Sequence, residues 1–120
     1  MRRKNRVSGF AVLAALALLV GCERPTHDPV QLKAVKAEAQ VLLEANPLDG
    51  EIIEKPRWPR AIARLKPEFV STNADGIYIT TKPFFDGGWG YFVPRRGQNL
   101  PDPVARFEDV GQGVYWFHPE

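Results

Sequence analysis

The sequence predicts an α+β fold, with one amphipathic N-terminal helix and a short helix packed on a four-stranded antiparallel meander. Apolar residues first recur at the 3.6-residue spacing of a helix, and after Pro67 they alternate with the period of two that is typical of strands. Turn sequences rich in glycine separate the alternating segments. Helical patterns followed by strand patterns indicate an α+β domain, and about 100 residues support a single hydrophobic core. We therefore predict one domain over residues 28–120.

The long helix is predicted to begin after Asp28 and to end at Asn46-Pro47. Asp28 is a favourable N-cap, Pro29 suits the first helical position, and Gln31 has a spacing similar to that of a capping box. The proline after Asn46 cannot continue the helix. The main apolar stripe of this helix, which we expect to face the core, consists of Leu32, Val35, Ala39, Leu42 and Leu43.

A second stripe of smaller apolar residues lies on the opposite side of the same helix, and consists of Val30, Ala34, Ala37, Val41 and Ala45. Two interpretations of this pattern stay open. The helix buries one main face in the core, or it is two-sided, and its alanine-rich face contacts a partner protein or a second copy of the chain.

The passage between the long helix and the strands is predicted to be a linker. Residues 47–59 contain three prolines and only a brief apolar contact at Ile52-Ile53. A short helix is expected from Pro59 to Leu65. Lys66-Pro67 stops it, because a residue that precedes proline avoids the helical conformation.

Period-two alternation then marks five short segments. The first precedes the turn Asn73-Ala74-Asp75-Gly76, and the other four form two hairpins that supply the strands of the predicted meander. The second hairpin is closed by Gly111-Gln112-Gly113. The segments are Phe69–Thr72, Ile77–Thr81, Trp89–Val93, Arg106–Val110 and Val114–His118.

The register of each hairpin assigns its side chains to the two faces of the sheet. Symmetrical folding about residues 82–88 predicts the pairs Ile77 with Val93 and Ile79 with Tyr91 on one face, and Tyr78 with Phe92 on the other. The second hairpin pairs Phe107 with Phe117, and its opposite face then carries Arg106, Glu108, Trp116 and His118. A shift by one residue would invert this assignment.

One face of the predicted sheet is a candidate binding surface. A helix of about 18 residues covers one side of such a sheet and not both. The uncovered face would present Tyr78, Phe92 and Trp116 among charged groups such as Arg106. Aromatic side chains of this kind are enriched at contact surfaces. The alternative is that residues 47–58 fold across this face and bury its rings.

No constellation in the sequence predicts catalysis, a metal site or a cofactor. Ser71 lies in a predicted strand without a histidine and an aspartate arranged to activate it. His27 and His118 lack neighbours at the spacing of metal ligands. The acidic pair Glu108-Asp109 points to opposite faces of a strand. We therefore expect a protein that is not an enzyme.

The first 22 residues have the pattern of a processed leader. Four cationic residues precede the apolar run Phe10–Val20, whose eleven residues are fewer than the roughly 20 that a membrane-spanning helix needs. The run ends in Leu19-Val20-Gly21-Cys22, which resembles the lipobox of bacterial lipoproteins. The resemblance implies cleavage between Gly21 and Cys22, and a thioether-linked diacylglycerol on Cys22. An ordinary secretory signal is the alternative.

Removal of residues 1–21 would change what the composition implies. It would leave 99 residues and take away four of the 16 Lys and Arg residues but none of the 14 Asp and Glu residues, so the net charge would be −2 and not +2. This balance does not support binding to nucleic acid.

Residues 22–27 would form the lipidated cysteine and a short tether. Lipoproteins of the class that this leader resembles commonly carry Asp after the cysteine when they stay in the inner membrane of a Gram-negative cell. With Glu23 at that position, the resemblance implies the periplasmic face of the outer membrane.

These features predict a small lipid-anchored cell-envelope protein that contacts the membrane through Cys22. The first hypothesis is that it binds or supports another envelope protein without catalysis. The second is a ligand-binding or inhibitor-type module, whose aromatic face recognises a glycan, a peptidoglycan fragment or an envelope hydrolase. Burial of both Tyr78 and Trp116 would exclude the glycan.

Arg95-Arg96 could contact anionic headgroups or an acidic partner, or could simply belong to a soluble loop.

Overall fold

The computed structural model describes residues 24–46, 50–85 and 87–119. Within these ranges the fold is α+β, with one long helix, one short helix and a six-stranded antiparallel sheet. The signal peptide, its cleavage site at Gly21-Cys22 and the lipidation of Cys22 lie outside the described residues, and so they remain predictions.

The long helix α1 spans Pro29–Ala45, as the sequence predicts. The carboxylate of Asp28 accepts a hydrogen bond of 3.0 Å from the backbone N–H of Val30, which satisfies one of the unpaired donors of the first turn. At the other end, the side-chain amide of Asn46 donates to the carbonyl oxygen of Leu42 at 2.7 Å. The buried residues of α1 are those of the predicted main stripe, Leu32, Val35, Ala39, Leu42 and Leu43.

The sheet contains six strands, and the prediction of a four-stranded meander is wrong. Its spatial order is β1-β2-β3-β4-β6-β5, so the last hairpin is turned over and β6, not β5, pairs with β4. The strands are β1 Glu51–Ile53, β2 Phe69–Thr72, β3 Gly76–Lys82, β4 Trp89–Pro94, β5 Phe107–Gly111 and β6 Val114–Phe117. Strand β1 comes from the predicted linker, because three residues are too few to show an alternating pattern.

The registers predicted for the two hairpins are confirmed. Ile77 pairs with Val93, Ile79 with Tyr91, Tyr78 with Phe92, and Phe107 with Phe117. The register between the hairpins could not be derived from the turns. It places Tyr91 opposite Trp116, and it therefore decides which face of the sheet each ring of β6 occupies.

Trp116 is consequently on the face that α1 covers, and its predicted place beside Tyr78 and Phe92 is wrong. The Trp116 side chain is 4% exposed, and its ring meets that of Tyr91 at a centroid distance of 5.0 Å. The prediction failed because it took β5 as the neighbour of β4. The core on this face also includes Ile53, Val70, Ile77, Ile79 and Val93.

The short helix α2 spans Arg60–Arg64 and packs against α1, with Ile62 buried. Its N-cap is Pro59, whose side chain cannot accept a hydrogen bond. The carboxylate of Glu38 in α1 supplies the missing acceptor, with 3.0 Å to the N–H of Ala61 and 2.9 Å to that of Ile62. A carboxylate at this position also interacts favourably with the helix dipole. Glu38 thereby fixes α2 against α1.

We expect Glu38→Ala to lower the free energy of unfolding by about 1 kcal/mol, because it leaves two N–H groups of α2 without their acceptor. Urea unfolding followed by tryptophan fluorescence measures the change. Glu44→Ala is the matched control on the same helix: Glu44 is exposed and lies 4.0 Å from Arg96, and its loss should cost less than about 0.5 kcal/mol. Equal losses for the two variants would contradict the capping role.

Helix α1 runs along the sheet from one end to the other. Near its start, the N–H of Thr26 donates to the hydroxyl of Tyr91 at 2.8 Å. This is the end at which residues 83–88 join β3 to β4, which we call the hairpin end. Near the other end of α1, Arg95 binds the last turn of the helix together with the 73–76 turn.

Candidate functional site

The sheet face opposite α1, here called the outer sheet face, carries a cluster of aromatic rings. Tyr78 lies 4.7 Å from Phe92 and 5.4 Å from Phe117, and Phe92 lies 5.1 Å from Phe107, all between ring centroids. Phe92 is fully buried and Tyr78 is half-buried. The predicted exposure of Phe92 is therefore wrong. Its ring packs against that of Phe107. The described part of the segment that was considered as a cover, residues 50–58, instead contributes β1 and places Trp58 against the α1 side of the core.

A cavity of about 310 Å³ opens on the outer sheet face beside these rings. It has a size that suits a small ligand or one large side chain of a partner. Its wall includes polar groups from several strands and from the segment between β4 and β5. The lining residues that matter most are Ser71, Tyr78, Thr80, Arg106, Phe117 and His118.

Arg106 ends the single 3-10 helical turn Val104–Arg106, directly before the edge strand β5, and lines this cavity. The N–H of His118 donates to the carbonyl oxygen of Arg106 at 3.1 Å, which places both side chains at the same mouth. One guanidinium nitrogen of Arg106 lies 3.8 Å from where a Cβ on Gly87 would stand. Of the predicted binding face, Tyr78, Phe92 and Arg106 thus lie on the same side of the sheet, whereas Trp116 lies on the side that α1 covers.

The hydroxyl of Tyr78 titrates above its usual range. Burial raises the pKa of Tyr78 from the ordinary value of 10.0, and the negative charge of Asp75 adds to this effect. A hydrogen bond with the side chain of Asn73 acts in the opposite direction. Tyr78 is therefore neutral at physiological pH, where it can offer its ring and hydroxyl to a ligand but cannot act as an anionic base.

A second candidate surface is the outer face of α1, which consists of the second apolar stripe, Val30, Ala34, Ala37, Val41 and Ala45. Val30 is 78% exposed and Val41 66%, and the three alanines are exposed as well. A shallow groove runs beside Ala37 and Val41. Its charged lining residues are Lys33, Lys36 and Arg96 with the single acid Glu44. Both interpretations of the helix agree with this exposure, because in each of them only the main stripe is buried in the core.

The two adjacent arginines Arg95 and Arg96 have different roles. The guanidinium of Arg95 donates to three backbone carbonyl oxygens, those of Leu43 at 2.9 Å, Asn46 at 2.7 Å and Asn73 at 2.8 Å. It is a structural residue that closes the C-terminal end of α1. Arg96 stays exposed and lines the groove. Adjacent arginines in a loop gave no sequence signal for this difference.

Of the residues considered for catalysis or metal binding, Ser71 and His118 line the same cavity on the outer sheet face. His27, Glu108 and Asp109 are exposed and do not line it. Among residues 24–46, 50–85 and 87–119, no three side chains of the metal-ligating types come together. In the same ranges no helix has the length and apolar character required to cross a membrane.

Sequence reasoning missed the exposed aromatic residues of the hairpin end. Phe84 is 49% exposed and Phe85 93% exposed, and their rings contact each other at 4.7 Å. Phe84 also meets Trp89 edge-on at 5.8 Å. We call Phe84 and Phe85 the aromatic tip. Two consecutive phenylalanines in a loop between strands were a visible signal for it.

No protein-family model, curated protein or solved structure matches this chain. The interpretation of its surfaces therefore rests on their own geometry and charge.

Proposed function

We propose that the chain is a small lipid-anchored protein of the cell envelope, not an enzyme, that binds another envelope protein through the outer face of α1. The anchor would be Cys22, and the periplasmic face of the outer membrane is the expected location in a Gram-negative cell. The observation that carries the binding role is the apolar, exposed stripe from Val30 to Ala45. In a helix whose other face already supplies the core, the expected outer residues are polar.

The charges beside the stripe indicate the chemistry of the partner. Lys33, Lys36 and Arg96 surround Ala37 and Val41, with Glu44 as the only acid among the described residues that line that groove. Small side chains allow a second backbone to approach closely, and the surrounding cations favour carboxylates on the other side. We therefore expect a partner that presents an apolar ridge, such as a helix face, bordered by Asp or Glu.

A second candidate function rests on the cavity of the outer sheet face. Tyr78 and Phe117 present ring surface there, and Arg106, Thr80 and His118 present polar groups, which is the composition of a small-ligand site. Of the two rings on which the glycan hypothesis depended, Trp116 is buried on the other face of the sheet, and only Tyr78, which is half-buried, remains accessible. This weakens the glycan hypothesis and favours a smaller anionic fragment held by Arg106.

Site-specific photo-crosslinking in the native host tests the first function. A benzoylphenylalanine is introduced at Val41, and at Lys55 as an exposed control in the segment after β1. We expect a crosslinked protein from position 41 and none from position 55. A second substitution, Ala37→Asp, should reduce the yield of the crosslinked protein several-fold, because it places a carboxylate against the acidic border of the partner. The control substitution Glu51→Ala should reduce this yield much less.

Equal crosslinks from positions 41 and 55 would contradict the role of α1. Absence of crosslinks from position 41, together with retention of the protein on isolated peptidoglycan, would support the second function. Arg106→Ala should then reduce that retention, whereas Arg96→Ala should leave it unchanged.

A further inference from the structure

The chain enters its folded domain at the hairpin end of the sheet. Thr26 is fixed there by its hydrogen bond to the hydroxyl of Tyr91. Arg24 lies in a small cleft of about 230 Å³ together with Lys66, Thr81 and Tyr91. The segment predicted to be a short tether, residues 22–27, therefore contacts the domain at Arg24 and Thr26.

The aromatic tip projects from the same end of the molecule. Thr81, which borders the cleft of Arg24, is followed directly by Lys82 and by the loop that carries Phe84 and Phe85. Phe85 has almost no contact with the rest of the domain, since 93% of its surface is exposed. Phe69 at the start of β2 is exposed at this end as well.

Cations lie beside the aromatic tip at the hairpin end. Arg24 and Lys66 line the cleft at the entry of the chain, and Lys82 precedes the loop that carries the tip. Among the described residues, Glu68 and Asp102 are acids of the same end, and Asp86 follows Phe85 in the sequence. The ammonium of Lys82 lies 5.3 Å from the ring centroid of Trp89, which places a cation beside the aromatic residues. Aromatic rings accompanied by cations are the composition that proteins present to the headgroup region of a bilayer.

We propose that Phe84 and Phe85 insert into the interfacial region of the same leaflet that holds the lipid of Cys22. This inference rests on the lipid attachment included in the proposed function. Four residue steps separate Cys22 from Thr26, and they span at most about 14 Å when extended. Because the anchor and the aromatic tip leave the same end of the domain, this short distance brings the tip to the bilayer. The hairpin end then faces the membrane, and the 73–76 turn points away from it.

The collision accessibility of a nitroxide measures this orientation in the acylated full-length product. Acylation blocks Cys22, which is the only cysteine of the chain, so an introduced cysteine is the sole free thiol. Pro83→Cys places the label beside the aromatic tip, and Ala74→Cys places it on an exposed turn at the opposite end. The proteins are reconstituted in vesicles of phosphatidylethanolamine and phosphatidylglycerol.

We expect the ratio of accessibility to oxygen over accessibility to a water-soluble nickel chelate to be several-fold higher at position 83 than at position 74. Phe84→Ser combined with Phe85→Ser should lower the ratio at position 83 to that of position 74, while the protein stays on the vesicles through its lipid. Equal ratios at the two positions in the unsubstituted background would overturn the proposal. Shielding of position 83 from both reagents would also overturn it, because a protein would then cover the tip.

Mass spectrometry of the labelled protein distinguishes an aromatic tip that does not insert from a Cys22 that is not acylated. A chain with acyl groups and one nitroxide shows that Cys22 carries lipid, and a low ratio at position 83 then refutes insertion of the tip alone. A chain with two nitroxides and no acyl group refutes the lipid attachment at Cys22, and the proposed orientation, which depends on that attachment, is then refuted as well.

Discussion

Replacement of Phe92 by alanine should lower the free energy of unfolding by about 4 kcal/mol, which is the largest effect that we expect from a single substitution in this chain. Phe92 is fully buried and is the largest of the completely buried side chains among the described residues. Its ring packs between Tyr78 and Phe107, so truncation opens a void on the outer sheet face.

Urea unfolding at constant m-value measures the loss of stability from Phe92→Ala. Phe85→Ala removes the same atoms from a side chain that is 93% exposed, and it should change the free energy of unfolding by less than about 0.5 kcal/mol. A cost below about 1 kcal/mol for Phe92→Ala would show that the outer sheet face is not a second packed core.

Replacement of Arg95 by alanine should cost about 3 kcal/mol and lower the melting temperature by roughly 12–24 °C. Its guanidinium donates to the carbonyl oxygens of Leu43, Asn46 and Asn73, which belong to the end of α1 and to the turn after β2. Hydrogen bonds from charged donors are stronger than neutral ones, and removal of the arginine leaves all three acceptors without this donor.

Two further variants separate the geometry of Arg95 from its charge. Arg95→Lys keeps the positive charge, but one ammonium cannot reproduce the planar arrangement of donors, so we expect most of the loss to remain. Arg96→Ala removes the same charge from the next residue, which is exposed, and should be nearly neutral. Thermal unfolding measured by circular dichroism compares the three variants. Equal melting temperatures for Arg95→Ala and Arg96→Ala would contradict the structural role of Arg95.

Local patterns were sufficient to predict the elements whose signals are contained in one stretch of chain. Helix α1 has a cap, a stripe and a proline after its end, and all of these are readable from residues 28 to 47. The hairpin pairs were also predictable, because the loop between two strands determines their register. Strand β1 was missed since its partner β2 is far along the chain and its three residues carry no periodic signal.

The position of Trp116 shows why the candidate site was predicted only in part. Alternation within a strand tells which residues share a face, but it does not tell which face of the sheet they join. That depends on the pairing of β4 with β6, which is a contact between hairpins. The place of Tyr78 was predictable because its pairing with Phe92 follows from local register. Arg106 reaches the cavity from the single helical turn before β5, although the local register had put it on the face of Trp116. The roles of Arg95 and Glu38 were not predictable, because their backbone partners are distant in sequence.

The inverted order of the last hairpin leaves β1 and β5 as the two borders of the sheet. Strand β1 is only three residues long and begins with Glu51, while β5 carries Glu108 and Asp109 and loses its regular register between Asp109 and Gly111. Lipid anchorage would confine many copies to one plane, where lateral collisions are frequent. Short, irregular and negatively charged borders disfavour strand addition between neighbouring copies. Neighbouring copies in that plane would therefore not extend one another's sheets.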